Sequence, residues 1–132
     1  GGSGDESVST EILQVLDLVN AERAKAGVKP LTLNSKAVSA AQVRAQEIAV
    51  SFSHTRPDGS SFSTALKAAG LSFTRSGENI AYGQRSAEAV MNGWMNSSGH
   101  RANILSSQYD SIGIGHYQNA AGVNYWVQLF VK

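Results

Sequence analysis

Apolar residues recur at helical spacing near the start of the chain, at Ile12, Leu13, Leu16 and Val19. That series predicts an amphipathic helix over residues 8–26. Ser9 or Thr10 stands where a cap belongs, and Gly27 where the helix should stop. Glu11 in the first turn and Arg23 and Lys25 in the last match the helix dipole. Val28 to Leu33 contains Pro30 and reads as an extended connector. Asn34 then caps a second helix to about Val50, with Val38, Ala41, Ala45 and Ile48 as its inner stripe. A stripe that thin and alanine-rich implies close packing against a neighbour. The chain next enters Phe52-Ser53-His54-Thr55-Arg56-Pro57-Asp58-Gly59, where proline, aspartate and glycine specify a turn. Ser61 to Ala69 reads as a short third helix ended by Gly70, and Leu71 to Ala81 as less regular. A fourth helix runs from Ser86 to Asn96, with Ala87, Val90, Met91 and Trp94 on one side, and a further helical turn from Ala102 to Leu105.

The period changes after that. Ile112 and Ile114 alternate with Gly113 and Gly115, a strand pattern whose glycines let another element approach. Asn119-Ala120-Ala121-Gly122 reads as a hairpin turn. In the following strand, Val123, Tyr125, Val127, Leu129 and Val131 share one face, and Trp126 and Phe130 the other. Large apolar groups on both faces require cover on both sides. The expected fold class is therefore α+β: an α-β-α three-layer sandwich with a small antiparallel sheet between helices.

Composition narrows the picture. With 132 residues, 42% hydrophobic, this is the size of one core-bearing domain, expected over residues 8–132. The opening Gly-Gly-Ser-Gly-Asp-Glu-Ser, residues 1–7, reads as a linker or a scar left by cloning. A net charge of +1 argues against a nucleic-acid partner, and no stretch is apolar enough to span a membrane. The absence of cysteine removes disulfides, thiolate nucleophiles and cysteine–zinc sites.

Candidate chemistry concentrates in three segments. His54 follows the second helix on an irregular segment, and rigidly held loops are where function tends to sit. Glu78 lies between Gly77 and Asn79. His100 lies in Trp94-Met95-Asn96-Ser97-Ser98-Gly99-His100-Arg101-Ala102-Asn103-Ile104-Leu105, where Gly99 would let the backbone turn or approach a neighbour. Two imidazoles and a carboxylate from separate segments could hold zinc with a water in the fourth position. They could instead form a proton-transfer pair oriented by the carboxylate. None of them shows a local ligand spacing. Ser97 and Ser98 sit beside His100, yet no G-x-S-x-G elbow is present, and they read as residues that end a helix and line a loop. His116, near a hairpin end, reads as structural. Arg101 and Asn103 read as fastening the turn to neighbouring backbone.

Several of these segments together resemble a known family. Gly77-Glu78-Asn79-Ile80-Ala81, the block from Trp94 to Leu105, Ile112-Gly113-Ile114-Gly115 and Tyr125-Trp126-Val127-Gln128-Leu129-Phe130 occur in order, after Asn20-Ala21-Glu22-Arg23 and Ser53-His54-Thr55-Arg56-Pro57-Asp58-Gly59. They resemble the bacterial branch of the CAP superfamily: cysteine-rich secretory, antigen 5 and pathogenesis-related 1 proteins, or SCP-like extracellular domains. The resemblance covers about residues 10–132. It implies an α-β-α sandwich, a secreted or cell-surface location, and a central cleft that in eukaryotic members carries two histidines and two acids able to hold zinc or another divalent cation. Residue by residue, it carries over to His54, Glu78 and His100. The second acid does not carry over, because Met95, Asn96, Ser97 and Ser98 follow Trp94. The metal set is then His54, Glu78 and His100, with weak or absent zinc unless water fills the gap.

The family resemblance implies binding more than any one reaction, since a fold does not assign chemistry. The expected function is a non-enzymatic extracytoplasmic module, a monomer, taking a small-molecule, lipid or protein ligand, or a metal, in a cleft formed by His54, Glu78, Asn79, Ser97, Ser98 and His100. No cofactor is required. The alternative is a hydrolase of peptide or cell-wall substrates, with His54 or His100 as base, Glu78 as orienter or metal ligand, and water or Ser98 as nucleophile. Phe62, Leu66, Leu71 and Phe73 are the candidate apolar wall, or simply core.

Overall fold

A computed structural model describes residues 8–132, so the seven-residue start read as a linker lies outside the described residues. The elements are helix α1 (Thr10–Lys25), strand β1 (Thr32–Leu33), helices α2 (Ser35–Val50) and α3 (Ser63–Ala68), strand β2 (Ser76–Tyr82), helices α4 (Ala87–Met95) and α5 (Ser98–Leu105), and strands β3 (Ser111–Gln118) and β4 (Asn124–Val131).

The start and stop signals act as their chemistry dictates. The hydroxyl of Ser9 accepts from the Ile12 N–H, Asn34 Oδ1 from Ala37 and Ser86 Oγ from Ala89, each satisfying an orphan donor of a first turn. Gly27, at φ 73°, closes α1: its N–H donates to the Ala24 carbonyl and that of Val28 to the Arg23 carbonyl.

The sheet order is β1-β3-β4-β2. β3 and β4 form the expected hairpin, pairing Ile114 with Gln128 and His116 with Trp126. β2 is antiparallel to β4, with Glu78 opposite Leu129 and Asn79 opposite Gln128. Two points differ from the sequence reading. The sheet is mixed rather than antiparallel, because the short β1 runs parallel to β3. The segment read as irregular, Leu71 to Ala81, contains most of an edge strand. Glycine, glutamate and asparagine are poor strand formers, and here tertiary contacts override that preference.

α1, α4 and α5 cover one face of the sheet. Val15, Val19, Val90, Trp94 and Ile104 meet Ile112, Ile114, Trp126 and Phe130 there. α2 and α3 cover the other, where Ala41, Ala45, Ile48 and Leu66 meet Ile80, Val127, Leu129 and Val131. The β4 alternation therefore falls as its pattern predicted, and the three layers are those of an α-β-α sandwich. The alanine stripe and the strand glycines explain one another. A Cβ on Gly113 would collide with the Ala37 backbone, and one on Gly115 with the Ala41 carbonyl. α2 thus lies directly against β3.

Candidate functional site

β2 is an edge strand, and its alternation splits two neighbours between opposite faces. Glu78 points towards α2. Asn79 points towards α4 and α5.

On the α2 side, Glu78 is buried, with its side chain 0% exposed. Arg44 of α2, equally enclosed, donates to both carboxylate oxygens: Nε to Oε2 at 2.7 Å and Nη2 to Oε1 at 3.1 Å. His54 Nδ1 lies 2.8 Å from Glu78 Oε1. A carboxylate clamped by a guanidinium is acceptor-only, so Nδ1 carries the ring proton and donates it. Nε2 has no protein partner among the described residues, on a side chain 58% exposed. Arg44 Nη2 also donates to the Ser53 carbonyl at 2.6 Å, and Nη1 to Glu47 at 2.9 Å. Glu47 in turn receives Arg56, whose Nη1 reaches the Thr64 hydroxyl. The segment bearing His54 is therefore tied down on both sides of the histidine by one chain of alternating charges: Arg56, Glu47, Arg44, Glu78. Burial pulls Arg44 towards the neutral form, but its bonds to Glu78 and Glu47 outweigh that and hold the guanidinium above its usual pKa. Burial raises Glu47, and the bonds from Arg56 and Arg44 overcome this to leave it below the usual range.

On the other side the fastening is neutral. The Asn79 amide is fully buried and donates to the His100 carbonyl at 3.1 Å and to Gln128 Oε1 at 2.9 Å. Asn103 donates to Asn79 Oδ1 at 2.9 Å and to the Glu78 carbonyl at 3.4 Å. Trp94 Nε1 donates to the Ile80 carbonyl, tying α4 to the same edge. His100 sits in the first turn of α5 rather than in a loop. Its imidazole is half-buried, and desolvation, followed by the charge of His54, lowers its pKa.

The sequence-derived site is refined in several places. His54 and Glu78 meet on the α2 side of β2, while His100 is held through its backbone carbonyl by Asn79, which points to the other side. Asn79 does not face the cleft; it is consumed in holding the His100 backbone. Ser97 and Ser98 flank the start of α5, and neither hydroxyl bonds to an imidazole among the described residues. Gly99 meets open space and has no positive φ, so nothing there requires glycine. Gly77 is closely approached instead, since a Cβ on it would lie 2.5 Å from the Tyr109 hydroxyl. Asn103 fastens the turn as expected, but to the Asn79 side chain as well as to backbone. His116 is structural, paired with Asn124 at 2.7 Å and packed on Trp126. Leu66 belongs to the core, while the Phe62 ring lies 6.3 Å from that of His54. A cavity of about 550 Å³ beside Arg23, Lys29 and Tyr109 contains none of these residues.

The residue that sequence reasoning missed is Arg44. Its signal was present: it stands three residues after Ala41 and four before Ile48, on the inner stripe of α2. An arginine on a buried stripe needs a partner.

A divalent cation does not fit these residues. Both oxygens of Glu78 face Arg44, so a metal there would sit against a fixed positive charge. Among the described residues, no three histidine, aspartate or glutamate side chains converge as a cation cage.

The model of the cysteine-rich secretory protein family, CAP, matches residues 16–130. The chain belongs to the CAP family. It is 37% identical over 131 residues to the uncharacterized protein YkwD of Bacillus subtilis, covering 98% of this chain and 50% of that protein. The chain therefore spans half the length of that relative. An extracellular SCP-domain protein of Bacillus anthracis superposes with a TM-score of 0.84 at 28% identity, over 91% of this chain and 39% of that one. An outer surface protein of Borrelia burgdorferi superposes with a TM-score of 0.86 over 95% of this chain and 94% of its own; at 20% identity the likeness is one of fold. This CAP domain contains no cysteine, so no disulfide holds its sandwich. No helix among the described residues is long and apolar enough to cross a membrane.

Proposed function

We propose that this CAP domain is a metal-independent, extracytoplasmic binding module whose cleft presents the open Nε2 of His54 beside the imidazole of His100. The observation that carries this reading is the Arg44 clamp on Glu78. It turns the one carboxylate of the cleft into an internal counter-ion and leaves two imidazoles as the accessible polar groups. Among the described residues no serine is bonded to either ring, which supports binding over nucleophilic catalysis, since a nucleophile must lie within reach of its base. The extracellular SCP-domain relative supports the location.

A second reading has one specific observation in its favour. The Glu78–His54 contact is the arrangement that orients a general base, so His54 could activate a water in a hydrolase of peptide or cell-wall substrates.

Two measurements test the proposal. Zinc titration by calorimetry should give no binding heat with the wild-type chain. Tight binding that disappears in His54→Ala or His100→Ala would overturn metal independence. Incubation with casein and with purified cell wall should release no product. Release that is lost in His54→Ala would establish the hydrolase.

A further inference from the structure

Three tyrosines stand in register across the sheet at one end: Tyr82 on β2 and Tyr117 on β3 are both paired with Tyr125 on β4. Their side chains share the α2 face. The ring centroids of Tyr117 and Tyr125 are 6.3 Å apart, those of Tyr125 and Tyr82 6.0 Å. Phe52 extends the row at 4.9 Å from Tyr82. Tyr117 and Tyr125 are partly buried against the α2-side core, and the outer two rings are open to solvent. Tyr82 is 55% exposed and Phe52 48%, and with Ile48, Val50 and Tyr125 they border a groove of about 250 Å³. Exposed aromatic rows of this kind mark interaction sites.

We propose that this row is a binding subsite for a neutral glycan chain, running on from the histidine cleft. The proposal rests on the binding reading of that cleft and names its ligand class. Continuity is the first argument. Tyr82 lies four residues from Glu78 on the same face of the same strand, roughly 13 Å at strand rise, and Phe52 lies two residues before His54. Tyr82 thus shares a strand face with Glu78 and with the His54 ring bonded to it. Charge is the second argument. Among the described residues no lysine, arginine, aspartate or glutamate lines the groove, and in the cleft Glu78 is already balanced by Arg44. Such a surface suits an uncharged polymer and offers nothing to a polyanion. Chemistry is the third. A sugar ring packs its C–H face on an aromatic ring while its hydroxyls take hydrogen bonds, and tyrosine supplies an apolar body with a polar tip. His54 Nε2 adds an acceptor for a hydroxyl. The ring-to-ring steps are about the size of one pyranose unit.

The probe is a soluble β-1,4-linked N-acetylglucosamine hexamer, titrated into the chain and followed by calorimetry and intrinsic fluorescence. Wild type should bind. Tyr82→Ala and Phe52→Ala, both at exposed positions, should each weaken binding roughly tenfold with unchanged circular dichroism, and Tyr82→Phe should retain most of it. Absence of binding by wild type overturns the proposal. Binding that survives both alanine variants but is lost in His54→Ala overturns the aromatic subsite and leaves the cleft reading standing. Capture by phosphatidylcholine vesicles or by a proline-rich peptide, in place of the hexamer, overturns the glycan assignment.

Discussion

The two sides of β2 hold their histidines by opposite means. On the α2 side, Glu78 orients His54 through its side chain, as the last link of an ionic chain that starts at Arg56. On the α5 side, Asn79 grips His100 through its backbone carbonyl, in an amide network with Gln128 and Asn103. The first arrangement fixes a ring and its tautomer. The second fixes a helix end and leaves the ring free. One imidazole is therefore bonded through its ring and the other is positioned only through its backbone. The ionic side is also the more fragile, because removing one partner of a buried pair strands the other's charge in low dielectric.

That asymmetry can be broken most severely at Arg44. Arg44→Ala leaves Glu78 enclosed without its cation, and should destabilise the fold by about 3–5 kcal/mol in chemical denaturation. Loss of the pair should also free the His54 ring, visible as exchange broadening of its imidazole signals. A loss within the error of the measurement would mean that the clamp is not what holds this face.

Asn79→Ala is the matching lesion on the neutral side. It leaves the His100 carbonyl, Gln128 and Asn103 each short of a partner. Unsatisfied buried polar groups predict a loss of about 1–3 kcal/mol, with the His54 signals unchanged. If His54 responded as strongly as it does to Arg44→Ala, the two sides would be one network and the comparison would collapse.

The smallest effect expected is on pH dependence. The folded-state pKa of His100 is lowered, by desolvation first and by His54 second. Below its unfolded value of about 6.5, the unfolded chain takes up the proton more readily than the folded one. The contribution of His100 to stability is therefore fully present above that pH and declines as pH falls through it. His100→Gln should flatten this acid-side slope while changing stability little at pH 8. An unchanged slope would assign the titration to another group.

Much of the framework was legible in the sequence, because it rests on local chemistry. Ser9, Asn34 and Ser86 cap the helices they precede, and Gly27 and Gly70 end theirs with positive φ. The alternation of β4 assigned its two faces. The alanine stripe of α2 and the glycines of β3 each announced a close neighbour, although neither named the other. The candidate site was legible as three residues and one family resemblance. β2 was not legible, since Gly77, Glu78 and Asn79 have no strand preference of their own. Each is retained by a contact from far along the chain: Tyr109 over Gly77, Arg44 on Glu78, Gln128 and Asn103 on Asn79.

By itself, then, the sequence determined where the first two helices begin and end and which strand faces are apolar, and it singled out three candidate side chains. These follow from interactions within a few residues and from periodicity. Only the tertiary structure decided what Glu78 does. A carboxylate can hold a metal, orient a base or balance an arginine, and its role depends on which groups reach it in space. Arg44 reaches it because α2 lies close against β3, and α2 lies there because Gly113 and Gly115 have no side chains to keep it away.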